Sequence, residues 1–510
     1  MSRVKRFAFS LVSGYAALSA NILFSLVSVP LAMHYLSNEE FGLWVVAAQV
    51  ATYLGLIEFG MTGSIARILI DHKDDPGGGE YGAVIKTGAL VLFVQGVALA
   101  LAGSMLGVWL GGLFEVPANH LRDFQWLLSG QALLLGSFFS ARMFGFVLQA
   151  HQRYDEYNGS QILSFIVNLL VLWVAFALKL GVYSLLAGTA AGTFASTVYC
   201  LLAVSRRGLW PHRGRWGQVN QRTFREMFQY GTEIFLLSVG QQLVSASQLL
   251  VLSRTLGLEV AALWSVATKL FSMAQQLVWR IYDFSGAALA EMIVRGERTR
   301  LLARFRDVVI LTASASAVAG LIMAVCNRSF LELYSRGRMA WGIENDVLMA
   351  ISIIVYASTR CHTGLTGLTK QIRAMKYTYL LEGLAFVGLG LLTARRFGIA
   401  GVIASGILTN ALFSGVYGVW RTADFLGIPP SEALRWWKGP LRLVAAFAAA
   451  AIPLWLLTRS LAAPAQFAIN AVVAGAFGLW GFWRLGLPQT MQHELADMAG
   501  KLRQRYLATQ

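Results

Sequence analysis

Four basic residues stand inside long apolar stretches of the chain: Arg142, Lys269, Arg280 and Arg360. Three acids, Glu58, Asp283 and Glu382, stand in such stretches too. A charge at the centre of a bilayer costs about 2.5–3.5 kcal/mol on insertion scales, so these side chains are expected to face a protein interior or a wet path. In the stretch 258–287, Lys269, Gln276, Arg280 and Asp283 fall at i, i+7, i+11 and i+14. At about 100° per residue they point within about 60° of one another, as one polar stripe on an apolar helix. Two cations on that stripe suit an anionic ligand. The alternative is that Arg280 and Asp283, three residues apart, neutralise each other and only join helices. Lys269 has no local acid to absorb its charge.

The stretch 124–149 repeats the idea with Gln131, Arg142 and Gln149 on one expected face. Arg360 lies in 346–369 with Tyr356, Thr363, Gly367 and Gln371 at helical spacing. There Gly364 and Gly367 loosen the helix or allow close packing. Glu58, with Thr62 one turn on, and Glu382 are read as charge partners of interior cations, with ion coupling as the alternative. His34 and His362 are expected to be packed or interfacial rather than ligands.

Other chemistries lack their residues. No GxxxxGK[ST] is present, so no ATP engine is expected. The three cysteines, Cys200, Cys326 and Cys361, form no C-x-x-C, and there is no H-E-x-x-H, so no metal site, disulfide framework or cofactor is expected. The chain reads as a non-enzyme without catalytic residues.

The elements that must position these charges follow from composition. Of 510 residues, 56% are hydrophobic and 13% charged, against about 25% charged in a soluble protein. Fourteen apolar stretches between residues 9 and 486 approach the length of about 20 residues that a spanning helix needs. Segments of about ten residues with alternating polarity, the mark of a membrane β-barrel, are absent from the sequence. The expected fold is an all-α polytopic membrane protein of about 14 helices, with no soluble domain. The basic start MSRVKR leads into an apolar run too long for a cleaved signal, read as a retained first helix.

The formal charge of +16 is assigned to loops facing anionic membrane lipids rather than to nucleic acid. With the N-terminus inside, Lys and Arg favour the inner loops by about three to one, which places both termini in the cytoplasm. From Pro488 onward, Met491, Leu495, Met498, Leu502 and Tyr506 recur at spacings of three or four, as in an interfacial amphipathic helix.

The second half echoes the first. LSNEEFGLW (36–44) and LGLEVAALW (256–264) share Leu-x-x-Glu-x-x-x-Leu-Trp at an offset of 220, and LGVYSLLAG (180–188) pairs with FGIAGVIAS (397–405) at 217. The repeat unit is six helices. Six is even, so both copies point the same way and are related by a pseudo-twofold axis along the membrane normal. The expected domains are a six-helix bundle over 1–222, a second over 223–424, two added helices over 425–487 and the tail over 488–510. Two facing bundles would enclose a central cavity, a transporter design.

The run YLSNEEFGLWVVAAQVATYLGLIEFGMTGSIAR (35–67) resembles the start of bacterial polysaccharide and O-antigen flippases of the multidrug/oligosaccharidyl-lipid/polysaccharide exporter superfamily. Leu36, Phe41, Gly42, Leu43 and Trp44 carry the entry to the second helix, and Glu58, Phe59 and Gly60 an acidic-x-Gly element at its end. The family often has Asp where Glu58 stands. LQAHQRYDEYN (148–158) is also similar.

The resemblance implies a multi-pass protein of the bacterial cytoplasmic (inner) membrane. Such a protein moves a polyprenyl-pyrophosphate-linked oligosaccharide to the outer leaflet for O-antigen or lipopolysaccharide synthesis, with other glycan-assembly membrane proteins as possible partners. Alternating access would carry the cargo through a cationic cavity. Arg142, Lys269, Arg280, Arg360 and Gln276 would meet the headgroup, since Arg suits bidentate phosphate contacts. The competing readings are an ion-coupled multidrug antiporter of the same superfamily, a membrane-embedded glycosyltransferase or polymerase, and a non-transporting scaffold.

Overall fold

The computed structural model describes residues 3–73, 79–113, 116–335, 341–369, 373–487 and 491–492. The expected tail helix therefore lies outside the described residues except for Met491 and Gln492. The chain is an all-α polytopic membrane protein, and no strand occurs among the described residues. It divides into two compact units, Met1–Ala262 and Leu263–Gln510.

The first unit holds α1 (Arg3–Tyr35), α2 (Asn38–Leu54), α3 (Met61–His72), α4 (Glu80–Leu113), α5 (Leu121–Ser137), α6 (Arg142–Ala150), α7 (Tyr154–Ala177), α8 (Tyr183–Arg206), α9 (Gln221–Ser245) and α10 (Ser247–Leu256). Next comes α11 (Leu258–Ala267), along which the division falls. The second unit holds α12 (Lys269–Arg295), α13 (Arg298–Ser335), α14 (Ile343–Leu368), α15 (Arg373–Asn410), α16 (Val416–Leu426), α17 (Pro430–Arg435), α18 (Lys438–Thr458) and α19 (Ala463–Gly481).

The expected stretches are mainly helical, but four are interrupted: 41–69 at Phe59–Gly60, 124–149 at 138–141, 226–253 at Ala246 and 258–287 at Thr268. By length and composition, nine helical segments among the described residues can cross a membrane, and two bent pairs, α5–α6 and α9–α10, raise the number to 11. One of the nine runs 53 residues from Ala374 to Leu426. It covers two expected stretches, because Gly398 breaks it at φ 59°, ψ −141°. The two stretches outside this set are 258–287 and 346–369, which carry Lys269, Arg280, Asp283 and Arg360.

Local sequence explains the helix ends and contacts that matter for the site. Ser37 opens α2 with a reciprocal cap: its Oγ accepts from the Glu40 amide (3.1 Å), and its own amide donates to Glu40 Oε2 (2.8 Å). Apolar helices in lipid gain little from apolar area alone, so close packing of small residues does the joining. Gly188 and Gly192 of α8 meet Asn168 and Ser164 of α7 so closely that a Cβ would come to 2.5 and 2.7 Å from their oxygens. In the second unit, Phe305, His362 and Trp436 pack as one aromatic cluster, with the His362 and Trp436 rings stacked at 6.4 Å. His362 is thus a packed histidine, as its apolar setting implied.

Candidate functional site

In the first unit the site is built on two helix breaks. The helix that begins at Asn38 tightens into a 3-10 turn over Gly55–Glu58. Phe59 (φ 47°) and Gly60 (φ 72°) then take the left-handed conformation, and α3 restarts at Met61. Gly60 is required here twice over. Its φ favours glycine, and an added Cβ would sit 2.3 Å from the Gly231 carbonyl oxygen of α9. The break frees backbone carbonyls that must find donors inside a membrane. Gln95 of α4 supplies one, donating from Nε2 to the Glu58 carbonyl oxygen at 3.0 Å.

The second break separates α5 from α6, which are bent by 45°. Arg142 is the first residue of α6, just past it. The helical phase that would put Gln131, Arg142 and Gln149 on one face assumes a continuous helix, and the turn at 138–141 interrupts it. Gln131 is buried, while Arg142 is half-buried. The two breaks bring Arg142 and Glu58 together. Arg142 Nη1 lies 3.2 Å from Glu58 Oε2, and Thr62 Oγ1 donates to the same oxygen at 2.7 Å. The guanidinium rests 4.2 Å from the centre of the Phe139 ring. The pair remains open, with 39% of the Arg142 side chain and 28% of Glu58 exposed.

In the second unit α12 is continuous, and Gln276, Arg280 and Asp283 lie along an exposed strip of it. Arg360 reaches across from α14 and places Nη2 2.8 Å from Asp283 Oδ1. Arg280 lies 4.0 Å from the other Asp283 oxygen, so one carboxylate serves two arginines. The Arg360 guanidinium stacks 4.5 Å from the Trp279 ring centre, and its buried Nε has no hydrogen-bond partner among the described residues. Gly364 permits the close approach of α14 to α12, since a Cβ there would meet the Tyr282 ring at 2.3 Å. α14 itself runs unbroken. Gln371 lies outside the described residues.

Lys269 opens α12 and is half-buried, without an acidic partner among the described residues. At about 1.5 Å per residue it stands about 16 Å along the helix from Arg280. Glu382 belongs to neither pair. It is buried in α15, accepting from Asn410 Nδ2 (2.9 Å), the Ser414 amide (3.2 Å) and the Ser414 hydroxyl, with the last two on a π-helical turn at Ala411–Gly415.

Sequence reading missed the two rings. Phe139 sits three residues before Arg142, a spacing that carries a signal. Trp279 meets an arginine of another helix, which no local pattern indicates.

The model of the family described as polysaccharide biosynthesis protein matches residues 10–283. No curated protein matches the chain. An inward-facing multidrug resistance MATE family transporter of the MOP superfamily aligns with TM-score 0.63 at 12% identity, covering 78% of this chain and 98% of that one. Lipid II flippase MurJ in an inward closed conformation aligns with TM-score 0.63 at 11% identity, covering 93% of this chain and 99% of that one. A MOP superfamily transporter from Pyrococcus furiosus, whose binding pocket is described as of reverse polarity, aligns with TM-score 0.56 at 13% identity, covering 83% and 97%. At such identities the likeness carries the fold.

Proposed function

The chain belongs to the polysaccharide biosynthesis protein family, and from that premise we propose that it flips a polyprenyl-pyrophosphate-linked oligosaccharide from the inner to the outer leaflet of the bacterial cytoplasmic membrane. The supporting observation is the pair of open guanidiniums in apolar helices. Arg142 and Arg360 each touch one carboxylate through one nitrogen, which leaves most of their donors for a ligand. The cargo's diphosphate is the anionic group that such donors recognise. Arg280, Lys269 and Gln276 add donors along α12, so the headgroup would find cations at several depths.

Alternating access then moves the headgroup while the lipid tail stays in the bilayer. Both termini face the cytoplasm in this reading, and the cargo is carried rather than chemically changed. The proposed organisation is two six-helix repeats, 1–222 and 223–424, with the helices of 425–487 added.

The second reading, a multidrug antiporter, draws on the MATE transporter of the same fold. An organic cation would be expected to meet unpaired acids. Here Glu58 and Asp283 are both engaged by arginine. The test neutralises Lys269 and Arg280 together and assays surface glycan. Loss of glycan at normal protein level supports the flippase reading, and normal glycan removes their role. Altered drug susceptibility in a deletion strain with intact glycan would favour the antiporter. Turnover of a nucleotide sugar by the purified protein would favour an enzyme.

A further inference from the structure

The two arginine pairs share one kind of contact. Arg142 and Arg360 stand 218 positions apart in sequence, between the proposed repeat offsets of 217 and 220, whereas Glu58 and Asp283 stand 225 apart, about two helical turns off that register. Arg142 on α6 meets Glu58 at the end of the segment that begins at Asn38, and Arg360 on α14 meets Asp283 on α12, so each pair joins two segments of one unit. Each guanidinium also lies over an aromatic ring, Phe139 in one unit and Trp279 in the other. The rings come from different places: Phe139 stands three residues before Arg142, and Trp279 lies on α12 beside the acid.

The contacts are those of a loosely held ion. In each pair one guanidinium nitrogen meets one carboxylate oxygen, although the planar fork of arginine can bind an oxyanion through two parallel hydrogen bonds. The ring occupies one face of the fork and leaves its edge open. More than a third of each arginine side chain is exposed, at 39% and 38%. A phosphate brings more charge than a carboxylate and enough oxygens for the two-point contact.

We propose that Glu58–Arg142 and Asp283–Arg360 are two exchange latches of one kind, in which a phosphate of the cargo takes the guanidinium from the carboxylate and unties that pair of helices. The proposal rests on the reading that the cargo carries a diphosphate. It adds that the resting carboxylates compete with the cargo. Because a ligand shifts a conformational equilibrium only by binding one state better than the other, untying by cargo would make the loaded protein, and not the empty one, free to change shape. Phe139 and Trp279 are positioning residues for the fork.

The test uses the full-length protein in phosphatidylcholine nanodiscs, titrated with farnesyl diphosphate and separately with inorganic pyrophosphate. Glu58→Gln and Asp283→Asn remove the competing charge and nearly keep the shape. Each is expected to tighten binding of farnesyl diphosphate by about fivefold to tenfold, whereas Arg142→Gln and Arg360→Gln weaken it by at least as much. A parallel response to pyrophosphate assigns recognition to the phosphates alone, and a response confined to farnesyl diphosphate assigns it to the lipid-linked form. Both support the latch. Unchanged or weaker binding in the two amide variants, with wild-type protein binding normally, overturns the latch and leaves the flippase reading standing. Wild-type protein that binds neither probe overturns both. Should an amide variant fold poorly, Glu58→Asp withdraws the carboxylate by one methylene with its charge kept and is expected to move affinity the same way.

Discussion

The acid–arginine pair of the first unit and that of the second reach the same contact by different means. In the first unit the backbone does the work. Two helix breaks, at Phe59–Gly60 and at residues 138–141, place Glu58 and Arg142 side by side. One base meets one acid, and Thr62 also holds the acid. In the second unit α12 and α14 are unbroken, and close packing of Tyr282 on Gly364 brings the charges together. There one acid meets two bases, Arg360 and Arg280, so a positive charge is left over. The difference teaches that the contact is what recurs, while the surrounding helix geometry varies. Under the proposed function, the second cluster would have spare charge to attract an anion, and the first would be balanced until one arrives.

The largest effect that can break this comparison comes from removing both arginines. A hydrogen bond to a charged group contributes about 1.5–3 kcal/mol. The variant carrying Arg142→Gln and Arg360→Gln should therefore lower surface glycan by about two orders of magnitude or more at normal protein level. The next effect separates the backbone device from the packing device. Gly60→Val forces a branched residue into φ 72° against the Gly231 carbonyl. Strain of that kind costs about 1–3 kcal/mol before the clash is added, and the chain is expected to lose thermal stability in detergent and to accumulate poorly. At Gly364→Ala the three nearest atoms belong to the buried Tyr282 ring, and the helical backbone there carries no left-handed strain. That variant's melting temperature should fall measurably less than that of the Gly60 variant.

Smaller effects sharpen the assignment of spare charge. Lys269→Gln with Arg280→Gln is expected to cut flipping by about tenfold, since it removes cations but neither latch. Gln276→Ala removes one uncharged donor from the exposed strip and should cut flipping by about twofold to threefold, near the low end of what a neutral hydrogen bond contributes. A loss with Gln276→Ala as deep as that of the arginine variants would mean that α12 recognises the headgroup as one continuous strip.

How far the sequence foresaw this depends on where the information lies. The paired charges were legible because a membrane penalises them: Glu58, Arg142, Asp283 and Arg360 all stood out against apolar neighbours. Gln276, Arg280 and Asp283 were legible as a strip because α12 is continuous across them, while Lys269, the first residue of the expected stripe, is half-buried at the start of that helix. The stripe inferred through Gln131, Arg142 and Gln149 was not a real face, because the turn at 138–141 contains neither Gly nor Pro to announce it. Gly60 gave a hint of the first break, but the left-handed Phe59 beside it did not. Partners across helices were the least legible. Nothing near Arg360 names Asp283 or Trp279, which lie about 80 residues away, and Glu382 finds Asn410 and Ser414 through the fold of its own unit.

If the two arginine pairs serve the passage of a lipid-linked diphosphate, their loss must stop transport of the headgroup. The direct measurement is flipping of a fluorescently labelled polyprenyl-diphosphate oligosaccharide in proteoliposomes, read as the labelled headgroup becoming accessible to an impermeant quencher. Wild-type protein is expected to move the headgroup across the bilayer, and the folded Arg142→Gln, Arg360→Gln variant to leave it where it began. Equal flipping by the two proteins would contradict the account.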